Sequence, residues 1–249
     1  MRSVSDGCGC FPTGRHYAGI AHLLRAVIRG LAEEFGADLP WRELPIALLD
    51  TETTGRDASV DRVIEVGIAV MRGGEVTLHN WLIHPGCPIP DESRAIHGIS
   101  DDDVKDKPRF EGVAAEIAAV MTGLIPAAYN APFDRAFLQN EFARAGHRPE
   151  PLPPFLRRDV EWLDPLVWAR EIQREEKSRA LGEVAARLGV ALENAHRASD
   201  DAQAALHVLF ALGKDARMPS AYGPLVQEQK RIALMHADER RFWKSNRPG

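Results

Sequence analysis

Apolar residues recur along this chain at two spacings, and each spacing predicts one type of secondary structure. Near the N terminus the spacing is helical, which predicts one amphipathic helix from about His16 to Phe35. Three predicted strands follow, near residues 45–51, 62–71 and 75–83, and Gly73-Gly74 suits the hairpin turn between the last two. Farther on, the pattern predicts a helix near 110–122, a strand near 125–129, and helices near 132–145, 163–177, 178–188 and 198–213.

The order of these elements predicts an α/β domain between two terminal segments. A strand, a helix and a further strand in succession indicate a parallel pair in a mixed sheet that helices cover. The domain is expected to span residues 45–213, after an N-terminal extension, 1–44, that carries the amphipathic helix. The segment 214–249 reads as a basic tail, which could contact nucleic acid or a partner protein, or form a terminal helix pinned by Phe242 and Trp243.

Two carboxylates stand at the end of the first predicted strand. Asp50 and Glu52 follow the apolar run Ile46–Leu49, and alternate residues of a strand project to the same face of the sheet. Like charges held that close call for a cation, and Mg²⁺ prefers carboxylate and water oxygens. The competing interpretation is that acids after a strand serve as turn or cap residues.

Two more acids and a histidine extend this pattern. Asp134 lies where a helix begins after the apolar run Leu124–Tyr129, although an acid there is commonly a cap or a partner of the helix dipole. Asp201 borders the buried stripe of the last predicted helix, one turn before it. His196 precedes that helix on a loop, from which it could approach whatever Asp201 binds.

Three ordered motifs result: Asp-x-Glu-Thr-Thr-Gly from residue 50, Asn-x-x-Phe-Asp from residue 130 and His-x-Ala-x-x-Asp-Ala from residue 196. They resemble the motifs of the DEDDh 3'-5' exonucleases, the superfamily of the proofreading epsilon subunit of bacterial DNA polymerase III. The resemblance spans about residues 45–212 and includes the second strand, Val63–Gly67, and the segment Ile96–Ile99. It implies a ribonuclease-H-like mixed sheet flanked by helices.

The resemblance also implies a role for each motif residue. Two Mg²⁺ or Mn²⁺ ions would be held by Asp50, Glu52, Asp134 and Asp201. The general base would be His196, because an ordinary imidazole titrates near neutral pH. The terminal nucleotide would be contacted by Thr53, Ile96 and His97.

These roles predict an enzyme that releases nucleoside monophosphates from the 3' ends of single-stranded or frayed DNA, in proofreading or repair. The same constellation could serve a 3'-5' exoribonuclease or oligoribonuclease, because the choice depends on contacts to the 2'-hydroxyl. A scaffold that binds nucleic acid without cleaving it, or a ribonuclease H, would be a different class of protein. The partner is expected to be a nucleic-acid 3' end, with a polymerase or repair protein as a further candidate.

Composition agrees with a cytoplasmic enzyme. The chain has 249 residues and is 45% hydrophobic, enough for one full core, and it contains no apolar run long enough to span a membrane. The first fifteen residues lack the apolar core of a secretory signal, and three cysteines do not make a disulfide framework. A net charge of -5 argues against binding of nucleic acid by bulk electrostatics, but it is compatible with an enzyme that grips one strand end.

Overall fold

The computed structural model describes residues 30–192 and 195–245, and of residues 240 and 242–245 it describes the backbone alone. At its centre lies a four-stranded sheet. The strands are β1 (Ile46–Thr53), β2 (Val63–Arg72), β3 (Glu75–Leu82) and β4 (Ile125–Ala128). The helices are α1 (Asp91–His97), α2 (Asp101–Val104), α3 (Phe110–Met121), α4 (Ala131–Arg144), α5 (Pro165–Ile172), α6 (Leu181–Leu188), α7 (Ala198–Leu212) and α8 (Tyr222–Ser245).

The sheet is mixed, as the sequence predicts. Its strand order is β3-β2-β1-β4, in which β1 runs antiparallel to β2 and parallel to β4. The turn at Gly73 and Gly74 needs positive φ at both positions, 59° and 88°, which glycine adopts without steric cost. This arrangement confirms the predicted α/β fold, a mixed sheet flanked by helices.

Both faces of the sheet are covered, which explains why β1 opens with four consecutive buried apolar residues. Ile46 and Leu48 face α7 and belong to a core with Leu206 and Leu209. Their neighbours in β1 point the other way, into a core formed with α3 and α4. The carboxyl end of β1 therefore emerges between two helical layers.

Most predicted elements agree with the structure to within two residues, but α5 is shorter than predicted. The predicted helix was 163–177, whereas α5 ends at Ile172 and Gln173 already has non-helical dihedral angles. In the following turn the Arg179 guanidinium donates to the carbonyls of Arg174 and Glu176. These two carbonyls therefore accept hydrogen bonds from a side chain instead of from the backbone N–H groups that would extend the helix.

The predicted N-terminal helix lies outside the described residues except for its last residues, 30–35, where the prediction is wrong. These residues form turns and a β-bridge. Gly30 has φ 103°, and its carbonyl accepts a hydrogen bond of 2.7 Å from the Glu161 backbone N–H. A positive φ at this position is incompatible with continuing a right-handed helix.

The C-terminal segment packs on the domain through α8. Tyr222, Leu225, Val226 and Ile232 are buried there, and the buried Gln229 side chain donates to the Trp162 carbonyl at 2.8 Å. The side chains of Phe242 and Trp243, expected to pin a terminal helix, lie outside those described. The domain limits 45 and 213 stay a prediction. Among the helices that the structure describes, none combines the length and apolar character needed to cross a membrane.

Candidate active site

The two acids of β1 stand where the strand leaves the sheet. Asp50 and Glu52 are each half-buried and lie on the face that packs against α7. In the antiparallel register they stand opposite Gly67 and Glu65 of β2. Asp50 thus faces a residue without a side chain, and Glu52 faces a third carboxylate.

Asp134 comes from the first turn of α4 and is buried, with only 3% of its surface exposed. The Thr51 hydroxyl donates to its Oδ1 at 2.8 Å, which ties the helix to β1 between the two strand acids. The preceding Asn130 has φ 75°, in the left-handed region that asparagine tolerates better than most residues. This turn lets the chain leave β4 and begin α4 within two residues.

His196 and Asp201 are brought to the same place by the start of α7. His196 is exposed and has φ 71°, and its backbone N–H donates to Asp201 Oδ2 at 3.1 Å. Each of Glu52, His196 and Asp201 offers one ligand atom, and these three atoms lie within 4.8 Å of one another, close enough to hold a metal ion. The structure therefore joins residues separated by about 150 positions in the sequence.

Burial and crowding raise the pKa values of all four motif acids. The pKa of Asp50 rises well above its usual range because the carboxyl is desolvated and because Asp134, Glu52 and Asp201 repel its charge. Desolvation, followed by repulsion from Asp201, raises the pKa of Glu52 to about 8. Burial raises the pKa of Asp134 to about 7, despite the Thr51 hydrogen bond, and raises that of Asp201 as well.

This charge pattern fits divalent metal ions. The four carboxyl groups repel one another when all are ionised, and a nearby cation stabilises their charged form. Mg²⁺ and Mn²⁺ favour hard oxygen donors such as carboxylates. The mutual approach of Glu52, His196 and Asp201 supplies the required convergence of ligand atoms. The donor set and its electrostatics therefore suit the predicted ions.

A cleft of about 840 Å³ opens beside these acids, and all three predicted substrate contacts line it. Ile96 is 52% exposed there, whereas His97 is buried. The Ile99 backbone N–H donates to His97 Nδ1 at 3.0 Å, and the buried Nε2 faces the Thr53 backbone without a hydrogen bond of good geometry. The Thr53 hydroxyl already donates to the Gly55 carbonyl at 2.6 Å.

The family comparison agrees with this geometry. A family model described as Exonuclease matches residues 48–209, which is more than half of the chain and includes all five predicted catalytic residues. The chain belongs to the DEDDh 3'-5' exonuclease superfamily.

Several curated relatives of this chain are named DNA polymerase III PolC-type. The chain is 31% identical over 181 residues to the DNA polymerase III PolC-type of Streptococcus suis (strain 98HAH33), covering 72% of this chain and 12% of that protein. It is 32% identical over 174 residues to the DNA polymerase III PolC-type of Streptococcus pneumoniae serotype 2 (strain D39 / NCTC 7466), covering 70% and 11%. The exonuclease chain thus spans about an eighth of the length of these relatives.

Solved structures share the exonuclease fold. The zinc-bound complex of E. coli exonuclease I with single-stranded DNA superposes with a TM-score of 0.59 at 21% identity, covering 69% of this chain and 40% of that one. Exonuclease X in complex with 5'-overhanging duplex DNA gives a TM-score of 0.55 at 22% identity, covering 74% and 99%. At these identities the comparison supports the fold.

One residue beside the exonuclease site, Glu65, was missed as a functional candidate from the sequence. It is fully buried, and its carboxylate accepts hydrogen bonds from Arg197 Nη2 at 2.7 Å, Asn80 Nδ2 at 2.8 Å and the Ala198 backbone N–H at 3.2 Å. It therefore fastens the two residues that follow His196 onto β2. A charged residue inside the apolar run of β2 was the available signal.

Gly67 allows this docking. A Cβ atom at this position would lie 2.1 Å from the Ala198 carbonyl carbon, a distance that real contacts do not show. The absent side chain lets the first turn of α7 approach β2 closely enough for Glu65 to bind the Ala198 N–H. The pair of residues thus sets where the helix that carries Asp201 begins.

Asp164 supports the second motif in a comparable way. Its carboxylate accepts from the backbone N–H groups of Asn130 at 3.0 Å, Ala131 at 3.1 Å and Leu166 at 2.9 Å. Burial raises its pKa to about 6. An Asp directly before Pro165 is typical of a helix N-cap, so the cap was predictable, but its bonds to the start of α4 were not.

Proposed function

We propose that this chain is a two-metal-ion 3'-5' exonuclease that releases nucleoside monophosphates from the 3' ends of single-stranded or frayed DNA. The observation that carries the proposal is the convergence of the first and third motifs on one site, where Glu52, His196 and Asp201 offer ligand atoms within 4.8 Å of one another. The second motif is joined to them by the hydrogen bond from the Thr51 hydroxyl to Asp134. Asp50 and Asp134 adjoin this group, because their charges act on each other and on Glu52.

The four acids Asp50, Glu52, Asp134 and Asp201 would hold two Mg²⁺ or Mn²⁺ ions. When bound, such ions lower the pKa of a water molecule and stabilise the charge that develops on the departing 3'-oxygen. Fixed carboxylates in a partly buried site need little rearrangement to do this, which is the usual basis of electrostatic catalysis.

His196 is assigned the role of general base. Its ring nitrogen lies near the Glu52 and Asp201 carboxylates, and its side chain is exposed, so a proton taken from the attacking water can pass to solvent. The left-handed backbone of His196, fixed by the bond from its N–H to Asp201, keeps the imidazole at this edge of the site.

The cleft supports binding of a terminal nucleotide. Burial lowers the pKa of His97, and with Nδ1 accepting from Ile99 the neutral ring carries its proton on Nε2. We propose that this N–H, which is buried beside the Thr53 backbone, donates to a sugar or base oxygen when the nucleotide binds, and the exposed Ile96 side chain offers an apolar surface beside it. For Thr53 we assign the contact to its backbone, because its hydroxyl is bound to Gly55.

Deoxyribonucleotide substrates are favoured by the relatives. The PolC-type relatives are DNA polymerases by name, and the structural neighbours include complexes with single-stranded DNA and with overhanging duplex DNA. We therefore propose DNA 3' ends as the substrate and a polymerase or repair context as the setting. An exoribonuclease activity is the alternative that the substrate test must decide.

The test compares single-stranded DNA and RNA of equal sequence as substrates, with Mg²⁺, Mn²⁺ or EDTA, for the wild-type chain and Asp201→Ala. We expect metal-dependent release of nucleoside monophosphates, faster from DNA, and none from the variant. Faster release from RNA would reassign the substrate, cleavage of circular DNA would indicate an endonuclease, and no cleavage at all would favour the binding scaffold.

A further inference from the structure

A second cavity, of about 480 Å³, lies between α5, the turn that follows it and α8, and we call it the α5–α8 cavity. Four of its lining side chains are basic and one is acidic. They are Arg170, Arg174, Arg179, His236 and Glu239. No role in the exonuclease site described above involves any of these residues.

Two buried side-chain nitrogens of the α5–α8 cavity have no hydrogen-bond partner. His236 is 9% exposed, and its Nδ1 is buried and unpaired, while its Nε2 lies 3.7 Å from Glu171 Oε2. The Arg179 Nε is likewise buried and unpaired, although the two Nη groups bind the carbonyls of Arg174 and Glu176. The Arg179 Nε–H is a donor, and a buried donor is costly unless it is paired, so it is suited to an acceptor that a ligand brings. The His236 Nδ1 also donates when the ring is protonated, a form that a bound anion stabilises.

The charges of the α5–α8 cavity favour an anion with several oxygens. Three arginines face two acids, Glu239 and the adjacent Glu171, and one of those acids is already engaged by Arg174 at 2.6 Å. Guanidinium groups bind phosphate oxygens through paired N–H donors, which is why arginine recurs at phosphate sites. Because Arg174 Nε and Nη2 bind Glu171 and both Arg179 Nη groups bind carbonyls, Arg179 Nε is the buried guanidinium donor left for a phosphate oxygen.

The position of the α5–α8 cavity connects it with the nuclease site. The Tyr129 hydroxyl donates to the Arg179 carbonyl at 2.6 Å. Tyr129 directly follows β4, whose last residue, Ala128, pairs with Leu49, so it stands beside Asp50 at the end of the sheet. The arginine-bearing turn is therefore tied to the residue that follows β4, the strand next to β1.

One wall of the α5–α8 cavity lies outside the exonuclease family domain. The family match ends at residue 209, whereas His236 and Glu239 belong to α8. We propose that the α5–α8 cavity binds a backbone phosphate of the nucleic-acid strand, away from the scissile bond. The inference rests on the proposed function for its choice of a nucleic-acid ligand, and it makes α8 a substrate-binding addition to the domain.

The experiment measures binding of a labelled 12-nucleotide single-stranded DNA by fluorescence anisotropy, in EDTA and in the Asp201→Ala background, which prevents cleavage. Arg174→Gln removes one charge from a half-exposed position, and His236→Ala removes the buried, unpaired ring nitrogen. Arg231→Gln is the matched control, because Arg231 is similarly exposed, at 54% against 50%, and pairs with an acid three residues away on α8, outside the cavity.

We expect each cavity variant to raise the Kd by about threefold to tenfold, the scale of one charged hydrogen bond partly screened by solvent. The salt dependence of binding should fall by about 0.7 in log-log slope for each lost phosphate contact. The control should bind as the parent does. The Arg174 side chain is half-exposed, so its substitution leaves the core intact. Unchanged binding by Arg174→Gln would overturn the proposal, as would an equal loss in the control.

Two further comparisons complete the experiment. One distinguishes a strand phosphate from free phosphate, and the other distinguishes failure of the proposed cavity contact from failure of the proposed nuclease activity. If Arg174→Gln weakens competition by inorganic phosphate but not binding of the 12-nucleotide strand, the cavity holds free phosphate and the proposal of a strand contact is wrong. Because binding is measured without cleavage, an inactive wild-type chain would remove the proposed nuclease and leave the strand contact to be judged by the anisotropy result alone.

Discussion

Replacing Glu65 by Gln tests whether a buried carboxylate outside the substrate cleft sets the position of His196, the proposed general base. Glu65 binds Arg197 and the Ala198 N–H, the two positions directly after His196, and the same carboxylate binds Asn80 of β3. A glutamine keeps the size of the side chain and one acceptor oxygen. Its NH₂ group, however, must then face a neighbour that is itself a donor.

The expected losses follow from these contacts. At least one of the three hydrogen bonds is lost and leaves a buried donor unpaired, which costs about 1–3 kcal/mol. Arg197 is 46% exposed, so solvent screens its ion pair, and relief of repulsion on Asp50 and Glu52 offsets part of the loss. We therefore expect the free energy of unfolding to fall by about 1–2 kcal/mol.

The effect on catalysis should be larger than the effect on stability. A shift of about 1 Å in His196 and Asp201 would lower kcat by up to about 10²-fold, because misplaced catalytic groups lose their near-attack geometry. KM should change little, since the cleft proposed to bind the substrate is formed by other segments. The assay is steady-state kinetics on a short single-stranded DNA, beside denaturant unfolding of the same preparations.

Glu141→Gln provides the matched control. Glu141 is also a buried glutamate, at 1% exposure, and it pairs with Arg62 and Arg144 instead of with the His196 loop. We expect a comparable loss of stability and a much smaller loss of kcat. Equal kcat values for Glu65→Gln and the wild-type chain, or equal losses in both variants, would refute the idea that Glu65 positions the base.

Three further predictions concern the motif residues directly. Asp50→Ala and Asp201→Ala should each abolish nuclease activity, and full residual activity in either variant would refute the mechanism. Each should also raise the melting temperature of the metal-free protein, because repulsion among the acids is relieved. His196→Ala should lose about 10²-fold or more in kcat, and a rate unchanged across pH would make this histidine structural. Folding raises the pKa of Glu52 to about 8 and that of Asp134 to about 7, so at these groups the folded protein binds more protons than the unfolded one. The free energy of unfolding of the metal-free protein should therefore fall as pH rises from about 4 to 8. Added Mg²⁺ should restore it. Melting curves with EDTA and with Mg²⁺ across this range would show the fall and its recovery, and a metal-free stability that rises with pH would contradict the account.

Most of the fold could be predicted from local patterns in the sequence. The apolar runs of β1 and β2 and the glycine pair at residues 73 and 74 placed these strands to within two residues, because burial and turn geometry both act over a few neighbouring positions. The helices α1 and α2 were missed, since seven and four residues are too few to show a helical period. The early end of α5 was missed because it depends on where the Arg179 side chain folds back.

The candidate site divides in the same way. Its five central residues were predicted because their spacing within each motif is local, whereas the partners that hold the motifs together are distant in sequence. Glu65 and Arg197 are separated by 132 positions, and the bond from the Asp164 N–H to Gln229 spans 65. Such contacts follow from how layers pack, so neither periodicity nor spacing in the sequence could assign them.

The central claim is that metal ions held by these acids direct hydrolysis from the 3' end. The most direct measurement is a time course on a 5'-labelled single-stranded DNA in Mg²⁺, resolved at single-nucleotide steps, beside the same reaction in EDTA and with Asp201→Ala. The account predicts a ladder that shortens one nucleotide at a time from the 3' end in the first reaction and intact substrate in the other two. Immediate release of the labelled 5' nucleotide, internal cuts, or cleavage that persists in EDTA would contradict it.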